Sequence, residues 1–141
     1  MADALLDTGA ILAALDKRDP WHSACGEALR DFRFPLITSE AVLTELFHLI
    51  GNTRVNLETT WRFVLSGVLK VAEMDHSELA SIQRLMVRYR DRPMDFADAT
   101  LVYLAERESL STIVTVDHAD FETYRIRGVS RFRIVPSRNR R

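Results

Sequence analysis

Apolar residues along this chain fall into short unbroken runs separated by stretches in which they recur every three or four positions. The first pattern predicts strands and the second amphipathic helices. Ala4-Leu5-Leu6 reads as a strand that stops at the turn Asp7-Thr8-Gly9, followed by a helix over Ile11 to Leu15. Asp19-Pro20 has the form of a helix start, with Asp as N-cap and Pro at the first helical position, leading through Trp21, Ala24, Ala28 and Leu29. Phe34 to Thr38 is a second strand, and Ser39 caps a helix whose apolar arc is Val42, Leu43, Leu46, Phe47, Leu49 and Ile50, with Gly51 as its stop. A further helix spans about Asn56 to Leu65, and Val68 to Ala72 is a third strand. Asp75-His76-Ser77-Glu78 resembles a capping box and opens a helix carrying Leu79, Ile82, Leu85, Met86 and Tyr89. Another helix starts at Asp95 and reaches about Arg107, followed by strands at Thr112 to Val116 and Phe132 to Val135.

Strands that alternate with helices from end to end predict a single α/β domain around a mostly parallel sheet of about five strands, with helices on both faces. Lys70 inside the third strand, and Arg133 and Pro136 at the fifth, suit sheet edges, whereas the first and fourth strands are apolar enough to be central. The order 3-2-1-4-5 satisfies these constraints with right-handed crossovers. Residues 1–136 are expected to form the domain and residues 137–141 a basic C-terminal tail.

With 141 residues the chain favours one domain, large enough to bury roughly 70% of its unfolded surface. No apolar run is long enough to cross a bilayer. The acids Asp3 and Asp7 stand where a secretory signal would carry basic residues, so a cytoplasmic location is expected. The lone Cys25 excludes an internal disulfide and any site built on several thiolates. Nineteen basic and twenty acidic residues give a net charge of -1, which by itself does not announce a nucleic-acid binder. All the cations except Lys17 and Lys70 are arginine, and Arg125, Arg127, Arg131, Arg133, Arg138, Arg140 and Arg141 gather near the end, either as a solvated basic segment or as phosphate-gripping forks.

Four acids stand out against this frame. Asp7 and Asp117 end the first and fourth strands, which are neighbours in the proposed order at the point where the winding direction reverses. Open α/β sheets bind ligands there, beyond the carboxyl ends of the strands. Asp98 falls on the stripe of Leu101, Val102 and Ala105 that must face inward, while Asp95 reads as the N-cap of the same helix with a supporting or fourth-ligand role as the second reading. Glu45 flanks the apolar arc of its own helix. Like charges about 5 Å apart repel by roughly 3 kcal/mol at an effective dielectric near 20, so a pocket of several carboxylates must protonate or recruit cations. All-oxygen ligands without clustered histidine or cysteine select Mg²⁺ or Mn²⁺, ions that activate water and support phosphoryl transfer.

The contexts Leu-Leu-Asp7-Thr8-Gly9-Ala10, Ser39-Glu40-Ala41-Val42-Leu43-Thr44-Glu45-Leu46, Phe96-Ala97-Asp98-Ala99-Thr100-Leu101 and Thr115-Val116-Asp117-His118-Ala119-Asp120-Phe121 resemble the PIN-domain family, most closely its VapC-type toxins of toxin-antitoxin modules. The resemblance covers essentially the whole chain. It implies that Asp7, Glu45, Asp98 and Asp117 form a catalytic acidic quartet holding Mg²⁺ or Mn²⁺, with Asp7 and Asp98 the firmest ligands and Thr8 and Thr115 orienting water or a carboxylate. It implies a metal-dependent endoribonuclease acting on RNA of the tRNA or rRNA class, a homodimer, and a cognate antitoxin whose peptide lies across the site. Asp95 departs from many relatives.

Two other readings use the same features: a metal-dependent 5′-nuclease or phosphatase on the same acids, and a receiver-like interaction domain. The latter would need a phosphoacceptor at the end of the third strand and a lysine after the fifth, where this chain has Ala72-Glu73 and no lysine. His22, His48, His76 and His118 lack ligand spacing and read as structural or surface residues, His118 alone being close enough to Asp117 to meet substrate. Trp21 and Trp61 suit core or dimer packing, and Arg88, Arg90 and Arg92 suit a solvated helix end or contacts to RNA phosphates.

Overall fold

In the computed structural model, residues 2–92 and 94–139 are described. The strands are β1 (Leu5–Leu6), β2 (Leu36–Thr38), β3 (Leu69–Val71), β4 (Thr112–Val114), β5 (Arg125–Ile126), β6 (Ser130–Arg131) and β7 (Arg133–Val135). The helices are α1 (Thr8–Leu15), α2 (His22–Arg30), α3 (Glu40–Leu49), α4 (Leu57–Val64), α5 (Leu79–Arg88), α6 (Phe96–Arg107) and α7 (His118–Thr123), with short 3₁₀ turns at Ile50–Asn52 and His76–Glu78. Five strands form one parallel sheet in the order β3-β2-β1-β4-β7, and β5 and β6 make a separate antiparallel hairpin. The expected order is therefore observed, with Lys70 and Arg133 exposed on the two edge strands.

Leu5, Leu6, Leu36, Ile113 and Val114 are fully buried, as a sheet flanked by helices requires. Each such side chain contributes roughly 1.5–3 kcal/mol by leaving water. α6 is the most enclosed helix, with Asp98, Leu101, Val102 and Ala105 all buried on the expected stripe. No helix among the described residues is long and apolar enough to cross a membrane.

Several element ends differ from the expected ones. The helix after β1 begins at Thr8 and not beyond Gly9, because Asp7 itself serves as N-cap and accepts from the Thr8 N–H. α2 begins at His22; Asp19 instead accepts from the Trp21 N–H through its carboxylate and from the His22 N–H through its carbonyl, a tight turn that delays the helix. Gly51 lies inside a 3₁₀ turn that prolongs α3. The fourth strand pairs only to Val114, since Thr115 and Asp117 turn into α7. Ser39 and Asp95 cap their helices as expected, Asn56 caps α4 from just outside it, and Asp75 with Glu78 forms a complete capping box. Neither α7 nor the β5–β6 hairpin was anticipated. Of the basic tail, Arg140 and Arg141 lie outside the described residues.

Parallel strands place everything that follows β1, β2 and β4 at one edge of the sheet. The Asp7 N–H donates to the Val114 carbonyl (3.0 Å), and the Thr38 hydroxyl donates to the Leu6 carbonyl (2.7 Å). Gly9 tightens this junction: a Cβ there would stand 2.8 Å from Val116 Cγ2, so the first turn of α1 packs directly on the segment leaving β4.

Candidate active site

Asp7 is 5% exposed and held on both carboxylate oxygens. Oδ1 accepts from the Thr8 N–H (2.8 Å) and Oδ2 from the Thr115 hydroxyl (2.7 Å). The Thr8 hydroxyl points elsewhere, donating to the Val42 carbonyl at 3.4 Å. Burial pushes the Asp7 carboxyl up to about 6; the two hydrogen bonds oppose this, and the charges of Glu45 and Asp117 add to it.

Asp98 enters from the first turn of α6, oriented by Asp95, whose Oδ1 accepts from the Asp98 N–H (2.8 Å). On its other side the fully buried Tyr124 donates its hydroxyl to Asp98 Oδ2 at 3.0 Å. Burial first, then the charge of Asp95, then that of Asp7 push Asp98 up to about 8, against the pull of the Tyr124 hydrogen bond. Asp117, at the start of α7, is pushed up to about 6 by burial and by Asp120 beside it. One carboxylate oxygen from each of Asp98, Asp117 and Asp120 lies within 4.8 Å of the others.

The structure thus brings Asp7, Asp98 and Asp117 into one electrostatic field, with Glu45 acting on Asp7 from α3. Asp95 is a helix cap whose charge also reaches Asp98 and Asp117. Asp120 and Tyr124 escaped the sequence reading because they sit on a six-residue helix and its exit, too short to show a helical period. The spacing Asp117-x-x-Asp120 was the available signal, since residues three apart share a helix face. A carboxylate set without nitrogen or sulfur donors, held by buried hydroxyls and already repelling its own charge, fits a hard divalent cation.

His118 is occupied elsewhere: its ring nitrogens face the Val116 carbonyl (3.1 Å) and the Pro136 carbonyl (2.8 Å), and its ring packs on Trp21 with centroids 5.0 Å apart. His22 likewise contacts the Ala13 carbonyl through Nδ1 (2.8 Å).

Beside the acids opens a cleft of about 1340 Å³. Glu40, Glu45, Glu73, Asp75, Glu78 and Asp95 line it together with Met74, Leu79 and Phe96, and no lysine or arginine among the described residues does so.

The sequence pattern of the PIN domain matches residues 4–126, a stretch containing every acid of the site and of the cleft beside it. The chain belongs to the PIN-domain family. This PIN domain is 32% identical over 135 residues to Ribonuclease VapC26 of Mycobacterium tuberculosis, a match that covers 94% of this chain and 99% of that protein. Among solved structures its fold is similar to that of Mycobacterium tuberculosis VapC20, described as a sarcin-ricin loop cleaving toxin, with a TM-score of 0.72 over 84% of this chain and 94% of that one. Identity there is 19%, so that likeness speaks for the fold.

Proposed function

We propose that this PIN domain is a divalent-metal-dependent endoribonuclease and the toxin of a type II toxin-antitoxin pair. The observation that carries the reading is the convergence of Asp7, Asp98 and Asp117, from three distant chain segments, at the end of the sheet, close enough that their charges act on one another. The likeness to Ribonuclease VapC26 over nearly the full length of both chains supports RNA as the substrate.

Asp7, Glu45, Asp98 and Asp117 are the residues assigned to hold Mg²⁺ or Mn²⁺. Asp120 joins them, on the strength of its distance to Asp98 and Asp117. The bound ion supplies charge neutralisation at the phosphate and a lowered pKa for water. Thr115 fixes the Asp7 carboxylate, Asp95 fixes the first turn of α6, and Tyr124 fixes the Asp98 carboxylate. Fixed carboxylates meet a cation without reorganising, which is where such a site gains over a flexible acidic patch. Thr8 belongs to the same scaffold through its backbone N–H.

An RNA of the tRNA or rRNA class, a homodimeric assembly, a cognate antitoxin and a cytoplasmic location complete the proposal. Residues 1–136 act as the nuclease domain and 137–141 as a basic tail. Incubation of the purified protein with structured RNA in Mg²⁺ or Mn²⁺ tests it: cleavage is expected, abolished by EDTA and by Asp7→Asn. Cleavage that survives chelation overturns the metal-dependent reading, and an intact RNA under all conditions overturns the nuclease.

A further inference from the structure

The near-zero net charge conceals a separation of charge. Six acids and no lysine or arginine among the described residues line the cleft on one side of the site. From residue 125 to 139 the chain carries five arginines and no acid. Phosphates laid along the acidic cleft would be repelled by its carboxylates, of which only Glu78 has a cationic side-chain partner among the described residues, Arg107 at 2.8 Å. The approach must come from elsewhere.

The β5–β6 hairpin provides that approach. Its turn has Arg127 and Gly128 both at positive φ (54° and 73°), and the Val129 N–H donates to the Ile126 carbonyl (3.0 Å). Residues 127–129 connect the paired Ile126 and Ser130, and this register places Arg125 directly opposite Arg131. Like charges opposite one another across a ladder are destabilising. Arg88, at the end of α5, brings its guanidinium against the same turn, with Nη1 3.2 Å from where a Cβ on Gly128 would sit. Tyr89 ties α5 to the hairpin by accepting from the Arg125 N–H (2.9 Å).

Arg125 and Arg92 already hold the far end of α7: Arg125 Nη1 donates to the Glu122, Thr123 and Tyr124 carbonyls, and Arg92 Nη2 to the Thr123 hydroxyl (2.8 Å). No carboxylate pairs with Arg88, Arg92, Arg125 or Arg131 among the described residues. The acids Asp117 and Asp120 sit on the same helix, whose six residues span only about 9 Å at 1.5 Å per residue.

We propose that Arg88, Arg92, Arg125 and Arg131 form a ridge that grips the phosphates of the RNA strand flanking the cleaved bond, so that the strand enters over the hairpin. The proposal rests on the RNA-cleaving reading for its substrate. Arginine suits the role because its planar fork matches phosphate and stays charged.

The test measures binding separately from cleavage, using a short fluorescein-labelled single-stranded RNA in EDTA and anisotropy between about 50 and 200 mM salt. Arg88→Glu combined with Arg131→Glu is expected to weaken binding about tenfold or more and to flatten the salt dependence by about 0.7 in log–log slope for each phosphate no longer gripped. The pair Arg54→Glu and Arg62→Glu, both exposed and away from the ridge in sequence, makes the same change in net charge and should leave affinity within about twofold. Equal weakening by the two pairs, or no measurable binding by the wild type, overturns the proposal. So does a polyglutamate peptide that binds the ridge as tightly as RNA, which would assign it to an acidic protein partner. Cleavage by the wild type in Mg²⁺ is scored independently, so a ridge that fails while cleavage persists leaves the nuclease standing.

Discussion

Replacing Asp98 by asparagine removes one charge from the most crowded part of the site while keeping an oxygen to accept the Tyr124 hydroxyl. The carboxyl is raised from 3.8 to about 8. Between those values the unfolded chain has released its proton and the native protein has not. The native state therefore binds more protons, and its stability falls as pH rises from about 4 to about 8. At 1.36 kcal/mol for each pH unit this amounts to at most about 5 kcal/mol at pH 8. Relaxation and water entering the site screen such penalties, and loss of a first-turn acid costs roughly 0.3–1 kcal/mol in the opposite direction. A net gain of about 2–3 kcal/mol for metal-free Asp98→Asn over wild type at pH 8 is expected, shrinking toward zero at pH 5. At roughly 3 °C per kcal/mol for a domain of this size, the melting temperatures should separate by about 6–9 °C at pH 8. Calorimetry in EDTA across pH 5–8 measures this, and Mn²⁺ should stabilise the wild type far more than the variant. Parallel melting curves at all pH values would refute the claim that burial and charge crowding at Asp98 destabilise the metal-free site.

Three further outcomes are expected. Tyr124→Phe should keep the fold but lower Mn²⁺ affinity about 10- to 100-fold, the usual effect of losing a hydrogen bond that orients a ligand, as read by calorimetric titration; unchanged affinity would deny Tyr124 that role. Mn²⁺ affinity should fall about tenfold for each pH unit below 8, because the ion must displace the Asp98 proton, and titrations in two buffers of different ionisation enthalpy should show that release; a flat profile would contradict it. Gly9→Ala should destabilise by about 1–3 kcal/mol through its clash with Val116 Cγ2, and adding Val116→Ala should recover part of that loss in denaturant melts; no coupling between the two would mean that α1 does not rest on that segment.

The sheet order was legible because it depends on coarse properties: Lys70 and Arg133 cannot sit at the centre, and Leu5-Leu6 and Ile113-Val114 cannot sit at the edge. The inward turn of Asp98 followed from a stripe it shares with Leu101, Val102 and Ala105 over a twelve-residue helix. α7 and the hairpin were missed for the opposite reason. Six residues with Phe121 and His118 as their buried members show no period, and the hairpin strands are two residues each. Asp120 and Tyr124 went unseen with them. Helix starts misplaced at Asp19 and Gly9 reflect local bonds to the Trp21 and Thr8 amides, which compete with the simplest capping pattern.

Leu5 pairs with Ile113, so the middle of the sheet joins residues 108 positions apart. A chain growing from its N-terminus has no partner for one side of β1 until Ile113 and Val114 exist, and Asp117 is made later still. Contacts of such separation form late in folding. On the proposed function, a chain made only as far as Val116 lacks both Asp117 and the β7 edge of the sheet, so the cutting site cannot be assembled from that N-terminal part alone.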